Sequence, residues 1–217
     1  MNNMTTIEAH PDSKEGEVLH LPQYDSTTFS RGSIILCRNT APLIAFAYAL
    51  LQRDVPCRIL GRDIGKQLAD VVNKRRAVNL DDLEGKLRLW RDREAQNAIE
   101  SDRSPERIND QFDCLLFFIN GLDDDSCTID SLLAKIDLMF TDEANGASAS
   151  RVTLSTVHKA KGLEFATVFI LDKEKYMPSR YAKQPWQMQQ EYNLLYVAIT
   201  RSMDKLIYIS SDCWKDV

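Results

Sequence analysis

Short apolar runs bounded by polar or turn residues recur along the chain. Runs of this kind are typical of strands that are buried on both faces. They predict strands over residues 33–37, 56–60, 152–154, 168–171 and 205–210. Between several of these runs lie segments with a helical spacing of apolar residues. Strands that alternate with helices predict an α/β domain with a mainly parallel sheet.

The helical segments are marked by apolar residues three and four positions apart. Leu43, Phe46, Ala47 and Leu50 follow this spacing, which predicts a helix over residues 42–53. The same spacing predicts helices over residues 64–73, 80–93, 105–119, 129–139 and 187–202. We interpret residues 79–149 as a helical insertion and residues 31–78 with 150–212 as the α/β domain. Residues 1–30 are polar with little periodicity, and predict a flexible arm.

The composition narrows the class of protein. The chain has 217 residues and is 44% hydrophobic, as expected for a globular protein. It contains no apolar run long enough to cross a membrane and no signal-peptide core, so we expect a cytoplasmic protein without a membrane partner. Its five cysteines form no CxxC pair, which favours reduced thiols over a zinc site. With a net charge of −5, any contact with nucleic acid needs a local basic groove.

A polar segment follows the strand over 152–154. It holds five polar or charged residues and one glycine: Thr156, His158, Lys159, Lys161, Gly162 and Glu164. Ligands of α/β sheets bind at the carboxyl ends of strands, so this segment is a candidate site. The alternative for His158 is a packed, hydrogen-bonded histidine. A metal role is disfavoured because no second His or Cys lies at ligand spacing.

Two arginines each lie at the end of a predicted strand or helix. Arg38 directly follows the strand over 33–37, and Arg201 ends the helix over 187–202. A guanidinium fixed at such a place can contact phosphoryl oxygens and stabilise charge during their transfer. The alternatives are a surface arginine for Arg38 and a cation favoured by the helix dipole for Arg201.

The segment RVTLSTVHKAKGLEFATVF (residues 151–169) resembles motif V of the superfamily 1 DNA helicases of the UvrD/Rep/PcrA type. The segment QEYNLLYVAITR (190–201) resembles motif VI, in a form closest to the F-box DNA helicase branch, and ILCRNT (35–40) resembles motif IV. The resemblance implies a RecA-like fold, namely the second of the two RecA-like domains of such a helicase. Residues 79–149 then occupy the place of a larger inserted subdomain.

The resemblance also implies roles for single residues. Arg201 would be the arginine finger, Arg38 would reach the terminal phosphate of ATP, and Glu164 would accept a hydrogen bond from the ribose. Gly162 would let the backbone approach the nucleotide, and Lys161 could serve either the phosphate of ATP or that of DNA. Single-stranded DNA would be contacted by Thr156, His158 and Lys159.

Several departures from the helicase pattern limit what we expect of the chain. Cys37 stands where UvrD and PcrA have the tyrosine that stacks on adenine. No Walker A sequence is present, because the glycine-rich residues 61–67 have the wrong spacing. No Asp-Glu pair on an apolar strand forms a Walker B sequence either. The Mg²⁺ of an ATP complex would therefore be held by the first RecA-like domain, in cis or in trans.

Two functions remain open from the sequence. One is the motor half-domain of an ATP-dependent 3′–5′ helicase, inactive alone. The other is a non-catalytic DNA-binding or adaptor module derived from a helicase. The loop over residues 173–186 mixes Lys, Arg, Tyr and Trp, and either stacks single-stranded bases or is a solvated loop with a packed Trp186.

Overall fold

A computed structural model describes residues 14–122, 128–141 and 151–215. Within these ranges six strands form one parallel sheet in the order β1-β6-β5-β2-β4-β3. The strands are β1 (Glu17–His20), β2 (Ile34–Cys37), β3 (Cys57–Ile59), β4 (Val152–Thr156), β5 (Phe165–Leu171) and β6 (Ser202–Ile209). The prediction of a RecA-like α/β domain with a parallel sheet is confirmed.

Helices cover the two faces of the sheet unequally. One face carries α1 (Thr40–Leu51), α2 (Arg62–Arg75), α3 (Leu80–Glu100), α4 (Glu106–Asn120) and α5 (Ile129–Phe140). The other face is covered by α7 (Pro185–Ile199), which follows the short helix α6 (Lys173–Tyr176). No helix in the described ranges is long and apolar enough to cross a membrane.

The central strand β2 shows how the apolar runs arise. Ile35 and Cys37 belong to the core beneath α1–α5, whereas Ile34 and Leu36 belong to the core beneath α7. All four side chains are fully buried. Because both faces of β2 are covered, its sequence is a continuous apolar run rather than an alternating one.

The structure corrects the expectation of a flexible arm over residues 1–30. Glu17–His20 forms β1, which pairs with β6 in parallel, and residues 1–13 lie outside the described ranges. Further on, Tyr24 is 1% exposed and its hydroxyl donates a hydrogen bond to the carbonyl of Ser210 at 2.6 Å. This segment is therefore part of the sheet and of its core.

Helices α3 to α5, predicted as an insertion, share a hydrophobic core with α1, α2 and the sheet. Helix α4 also fixes the start of α1. The carboxylate of Asp110 on α4 accepts hydrogen bonds from the backbone N–H groups of Thr40 and Ala41, each at 2.9 Å. These N–H groups have no partner within α1 itself, and the side chain of the N-cap residue Asn39 does not bind them, so α4 supplies the N-terminal cap.

Candidate functional site

The carboxyl ends of β2 and β5 form the switch point of the sheet. From β2 the chain leaves through α1 towards β3, and from β5 it leaves through α7 towards β6, in the opposite direction. Crevices at such points are the usual ligand sites of open α/β sheets. Arg38, the first residue after β2, lies at this crevice.

Arg38 is held there by two carboxylates. Its Nε and Nη2 donate to the two carboxylate oxygens of Glu191 at 2.7 and 2.6 Å, and Nη2 lies 2.8 Å from Oε2 of Glu106. Ser179 links the two acids, since its hydroxyl donates to Glu106 at 2.6 Å and its backbone N–H donates to Glu191 at 2.9 Å. The four residues come from β2, α4, α7 and the loop before α7, and form what we call the Arg38 junction.

Negative charge exceeds positive charge at the Arg38 junction. Burial raises the pKa of Glu106, and burial also raises the pKa of the neighbouring Asp110. Burial alone would raise the pKa of Glu191, but hydrogen bonds from Arg38 and Ser179 outweigh it and the pKa is lowered. Glu191 is therefore the principal counter-ion of Arg38, and a phosphate would compete with it for the guanidinium.

A cleft of about 430 Å³ opens beside the Arg38 junction, between α2, α4 and the loop after β4. Four of the residues predicted from sequence line it: Arg38, Thr156, His158 and Lys159. Thr156 is only 8% exposed, whereas His158 and Lys159 are exposed. The amine of Lys159 lies 2.5 Å from the carboxylate of Asp63. Partial removal from water, together with the charge of Arg38, lowers the pKa of His158.

The remaining predicted residues form a second group at the loop between β4 and β5. Lys161, Gly162 and Glu164 are exposed, and neither Lys161 nor Glu164 has a polar partner in the part of the chain that the structure describes. Gly162 has φ of +88°, which favours glycine, and no atom lies within 4 Å of where a Cβ would be. The backbone is therefore open to close approach at this loop.

Arg201 also lies at this loop, but its guanidinium already donates hydrogen bonds to other residues of the chain. Its Nε donates to the carbonyl of Val197, its Nη1 to the carbonyl of Leu163 and its Nη2 to the hydroxyl of Thr200, each at 3.0 Å. The guanidinium thus satisfies the C-terminal end of α7, which is the helix-end role considered from the sequence. The contact with Leu163 also holds it against the loop of Lys161 and Glu164.

The two arginines do not share one site in this structure. Arg38 is anchored to Glu191, and Arg201 is anchored to Val197 on the same helix. These two anchoring positions are about 9 Å apart along the axis of α7, at 1.5 Å per residue. The two guanidiniums are therefore held at different turns of α7.

Helix α7 exposes several large apolar side chains. Tyr192, Tyr196 and Ile199 follow a helical spacing on one side of α7 and are 55%, 52% and 37% exposed. Two further large apolar residues are exposed near the end of α7: Met203, at the start of β6, is 56% exposed, and Leu163, whose carbonyl accepts a hydrogen bond from Arg201, is 38% exposed. We call these five residues the α7 face. Large exposed apolar patches mark interaction surfaces.

Trp186, at the start of α7, is 54% exposed and does not pack into the core. It lines a second cleft of about 270 Å³, together with Arg103, Tyr181, Gln187 and Gln190. This cleft shares Arg38 with the first one. An aromatic ring with a nearby guanidinium and amides is an arrangement that can stack and hydrogen-bond an unpaired base.

The sequence reasoning missed Glu106, Ser179 and Glu191. One signal was available for Glu191: it precedes Leu194, Leu195 and Ala198 at helical spacing, so a charged residue lies on the inner side of α7. A charge at such a position needs a buried partner. Nothing local to Glu106 or Ser179 indicated a role, because Glu106 contacts the distant Arg38 and Ser179 contacts Glu106, 73 positions away.

Residues 78–212 match the family model described as UvrD-like helicase C-terminal domain. The match includes Glu106, Glu191, Arg201 and the loop after β4, and it begins beyond Arg38.

Curated relatives include the ATP-dependent DNA helicases PcrA of Bacillus subtilis, Staphylococcus epidermidis and Staphylococcus aureus. The first is 37% identical over 78 residues, covering 35% of this chain and 11% of the relative. The other two are 40% identical over 85 and 84 residues, covering 37% of this chain and 11% and 10% of the relatives. The chain thus spans about a tenth of the length of these relatives. Since the family model matches more than half of it, the chain belongs to the UvrD-like helicase C-terminal domain family.

Proposed function

We propose that this chain is the second RecA-like half of an ATP-dependent 3′–5′ DNA helicase, and that it completes an ATP site against a first RecA-like domain. One arrangement carries the proposal: Arg201, Lys161 and Glu164 lie together beside the exposed α7 face. A half-site for an anion next to an apolar docking face fits a site that is closed by a second domain.

The residues of the second group fit a nucleotide. The exposed carboxylate of Glu164 suits a ribose hydroxyl, Gly162 allows the backbone to come close, and Lys161 offers an unpaired ammonium to a phosphate. Arg201 supplies a guanidinium that can stabilise charge on a phosphoryl group. When bound, ATP would supply the phosphoanhydride whose hydrolysis drives the motor, with Mg²⁺ held by the first domain.

Carboxylates compete with phosphate for Arg38 at such a site. Its Nε and Nη2 are held by Glu191 and Glu106, and the excess of negative charge opposes an anion. Closure onto the first domain would have to separate Arg38 from at least one acid. In this proposal Arg38 is the arginine that contacts the terminal phosphate, and its ion pairs in the Arg38 junction are those of the state without nucleotide.

The first cleft is the proposed path for single-stranded DNA. His158 and Lys159 offer exposed donors at the carboxyl edge of the sheet, and the second cleft with Trp186 continues it. Contacts of this kind bind the backbone and stack bases without reading sequence. The affinity of the isolated chain for single-stranded DNA should be weak and should fall as the salt concentration rises.

The proposal is tested by steady-state ATP hydrolysis of the purified chain, alone and mixed with a first RecA-like domain, with and without single-stranded DNA. We expect turnover only in the mixture, and a loss of about 10³-fold or more in Arg201→Ala, as for other arginine fingers. Turnover by the pure chain would contradict the half-site.

Arg53→Ala is the matched control. Arg53 also ends a helix and donates to the carbonyl four residues before it, that of Ala49, at 3.1 Å. It lies beyond α1, away from the loop after β4. Arg53 also lies over the ring of Trp214, at 4.3 Å from the centroid, so Arg53→Ala should cost at least as much stability as Arg201→Ala. Only Arg201→Ala should lose turnover. Equal twofold effects on turnover would leave Arg201 a structural role.

A non-catalytic adaptor is the second candidate. It is favoured by the contacts that Arg38 and Arg201 already make within the chain in this conformation. Absence of turnover in every mixture, with DNA binding retained, would support it.

A further inference from the structure

A basic groove of about 500 Å³ lies between the end of α2 and the middle of α3. Its lining residues are Lys74, Arg75, Lys86, Leu89, Trp90 and Arg93. Four of these six residues are cationic and none is acidic, on a chain whose net charge is −5. The first cleft, by contrast, mixes cations with Asp63, Glu106 and Asp110.

The cations of the groove are poorly neutralised. Lys74 has no polar partner among the residues that the structure describes, and Nε of Arg75 is buried without a hydrogen bond there. Arg93 pairs weakly, at 3.2 Å, with its neighbour Glu94. Lys86 alone has a firm ion pair, with Asp82 at 2.8 Å. Like charges gathered in this way repel one another, so an anion bound in the groove would relieve the repulsion.

We propose that this groove binds the phosphodiester backbone of double-stranded DNA. Single strands are bound by grooves that add exposed aromatic rings for stacking, as Trp186 does in the second cleft. Here Trp90 is only 9% exposed and Arg75 lies over its ring, at 5.6 Å from the centroid. The groove therefore offers charge without a stacking platform, which suits a duplex that shows phosphates and hides its bases.

The position of the groove separates it from the proposed single-strand path. Helix α2 has 14 residues, and it begins at the first cleft, where Asp63 lies, and ends at the groove with Lys74 and Arg75. At 1.5 Å per residue the two sites are about 20 Å apart. A duplex with a single-stranded tail could contact both, the tail in the cleft and the duplex in the groove. The inference rests on the proposed function only in taking the polyanion to be DNA.

The test measures binding of the full chain to a fluorescent hairpin duplex with a 3′ single-stranded tail, and to the tail alone, as a function of salt. The variant Lys74→Ala with Arg93→Ala removes two cations that make no firm contact. We expect about a tenfold loss of affinity for the hairpin at low salt, and a salt slope lower by about 1.8, at 0.9 per phosphate contact. Binding of the tail alone should not change.

The matched control is Lys14→Ala with Lys205→Ala, which removes two exposed lysines that pair with Asp204 and Glu17 on the β1–β6 side of the sheet. Equal losses in the two double variants, or an unchanged salt slope in the groove variant, would overturn the proposal. So would binding of polyglutamate, but not the hairpin, by the groove. ATP hydrolysis is not measured here, so a failure leaves the half-site argument standing.

Discussion

Arg38 ties together parts of the chain that are far apart in sequence. Its partner Glu191 lies 153 positions away, and Glu106 belongs to the helical segment between β3 and β4. One guanidinium therefore joins β2, α4 and α7 at the switch point of the sheet. Removing one member of a buried ion pair leaves the other charge uncompensated.

Arg38→Ala should therefore destabilise the chain by about 3 kcal/mol at neutral pH. The loss of unfolding free energy caused by Arg38→Ala should become smaller as the pH falls through the range in which carboxyl groups are protonated. Without Arg38 the pKa values of Glu191 and Glu106 rise above those of the unfolded chain, so the folded state binds more protons and gains stability as pH falls. Urea unfolding at pH 7 and at about pH 4.5 measures both effects.

Arg107→Ala is the comparison for this prediction. Arg107 also lines the first cleft, but it only donates to Gln67 at 3.0 Å and is exposed. Arg107→Ala should lower the free energy of unfolding by less than about 0.5 kcal/mol, with little dependence on pH. A pH-independent loss in Arg38→Ala would mean that the carboxylates are not the reason for its effect.

At the residue scale the sequence predicted positions better than contacts. The location of Arg38 at a strand end was predicted correctly, and so was the polar loop between two strands that holds Lys161 and Glu164. The ion pairs of Arg38 were not predicted, because they depend on carboxylates brought together only by the fold. The roles proposed for all these residues stay predictions.

At the element scale, two glycines within helices have opposite surroundings. A Cβ on Gly65 of α2 would lie 3.0 Å from Cβ and 3.1 Å from Cδ2 of the buried Phe140 on α5. A Cβ on Gly85 of α3 would meet no atom within 4 Å. Gly65 therefore permits the close packing of α2 on α5, whereas Gly85 only weakens its helix.

The two alanine variants should change stability in opposite directions. Gly85→Ala should raise the free energy of unfolding by about 0.5–1 kcal/mol, through helix propensity. Gly65→Ala should lower it by about 1–3 kcal/mol, because overpacking outweighs the same gain. Denaturant midpoints of the two variants give the comparison. A gain in Gly65→Ala would show that α5 moves away from α2 at little cost.

Hydrophobic patterning predicted the core elements and missed the solvated ones. Strands β2 to β6 were predicted because each carries an apolar run. Strand β1 was missed because its side chains are largely exposed, and it is held by main-chain pairing with β6 at the sheet edge. Helix α3 was predicted to end at residue 93 but continues to Glu100, where polar helix formers replace the apolar spacing.

At the scale of the whole molecule, the α7 face is the surface on which assembly should depend. Tyr196→Ser with Met203→Ser should weaken binding to a first RecA-like domain by about tenfold or more, because each removes exposed apolar area from the contact. The stability of the chain alone should change little, since both side chains are more than half exposed. Titration calorimetry and thermal unfolding measure the two quantities.

Leu138→Ser is the control for that prediction. Leu138 is 79% exposed on α5, at the other face of the sheet. It should leave binding to the first domain unchanged. A loss equal to that of the α7 variant would move the docking surface elsewhere.

The pairing of β1 with β6 has a consequence for the biosynthesis of the protein. The hydroxyl of Tyr24 contacts a carbonyl 186 positions later, and β2 pairs with β4 and β5 across the whole helical segment. During translation β1 and β2 therefore stay unpaired until most of the chain has been synthesised. Chains with such distant contacts fold slowly. Exposed apolar β2 is then the segment that chaperones would have to shield.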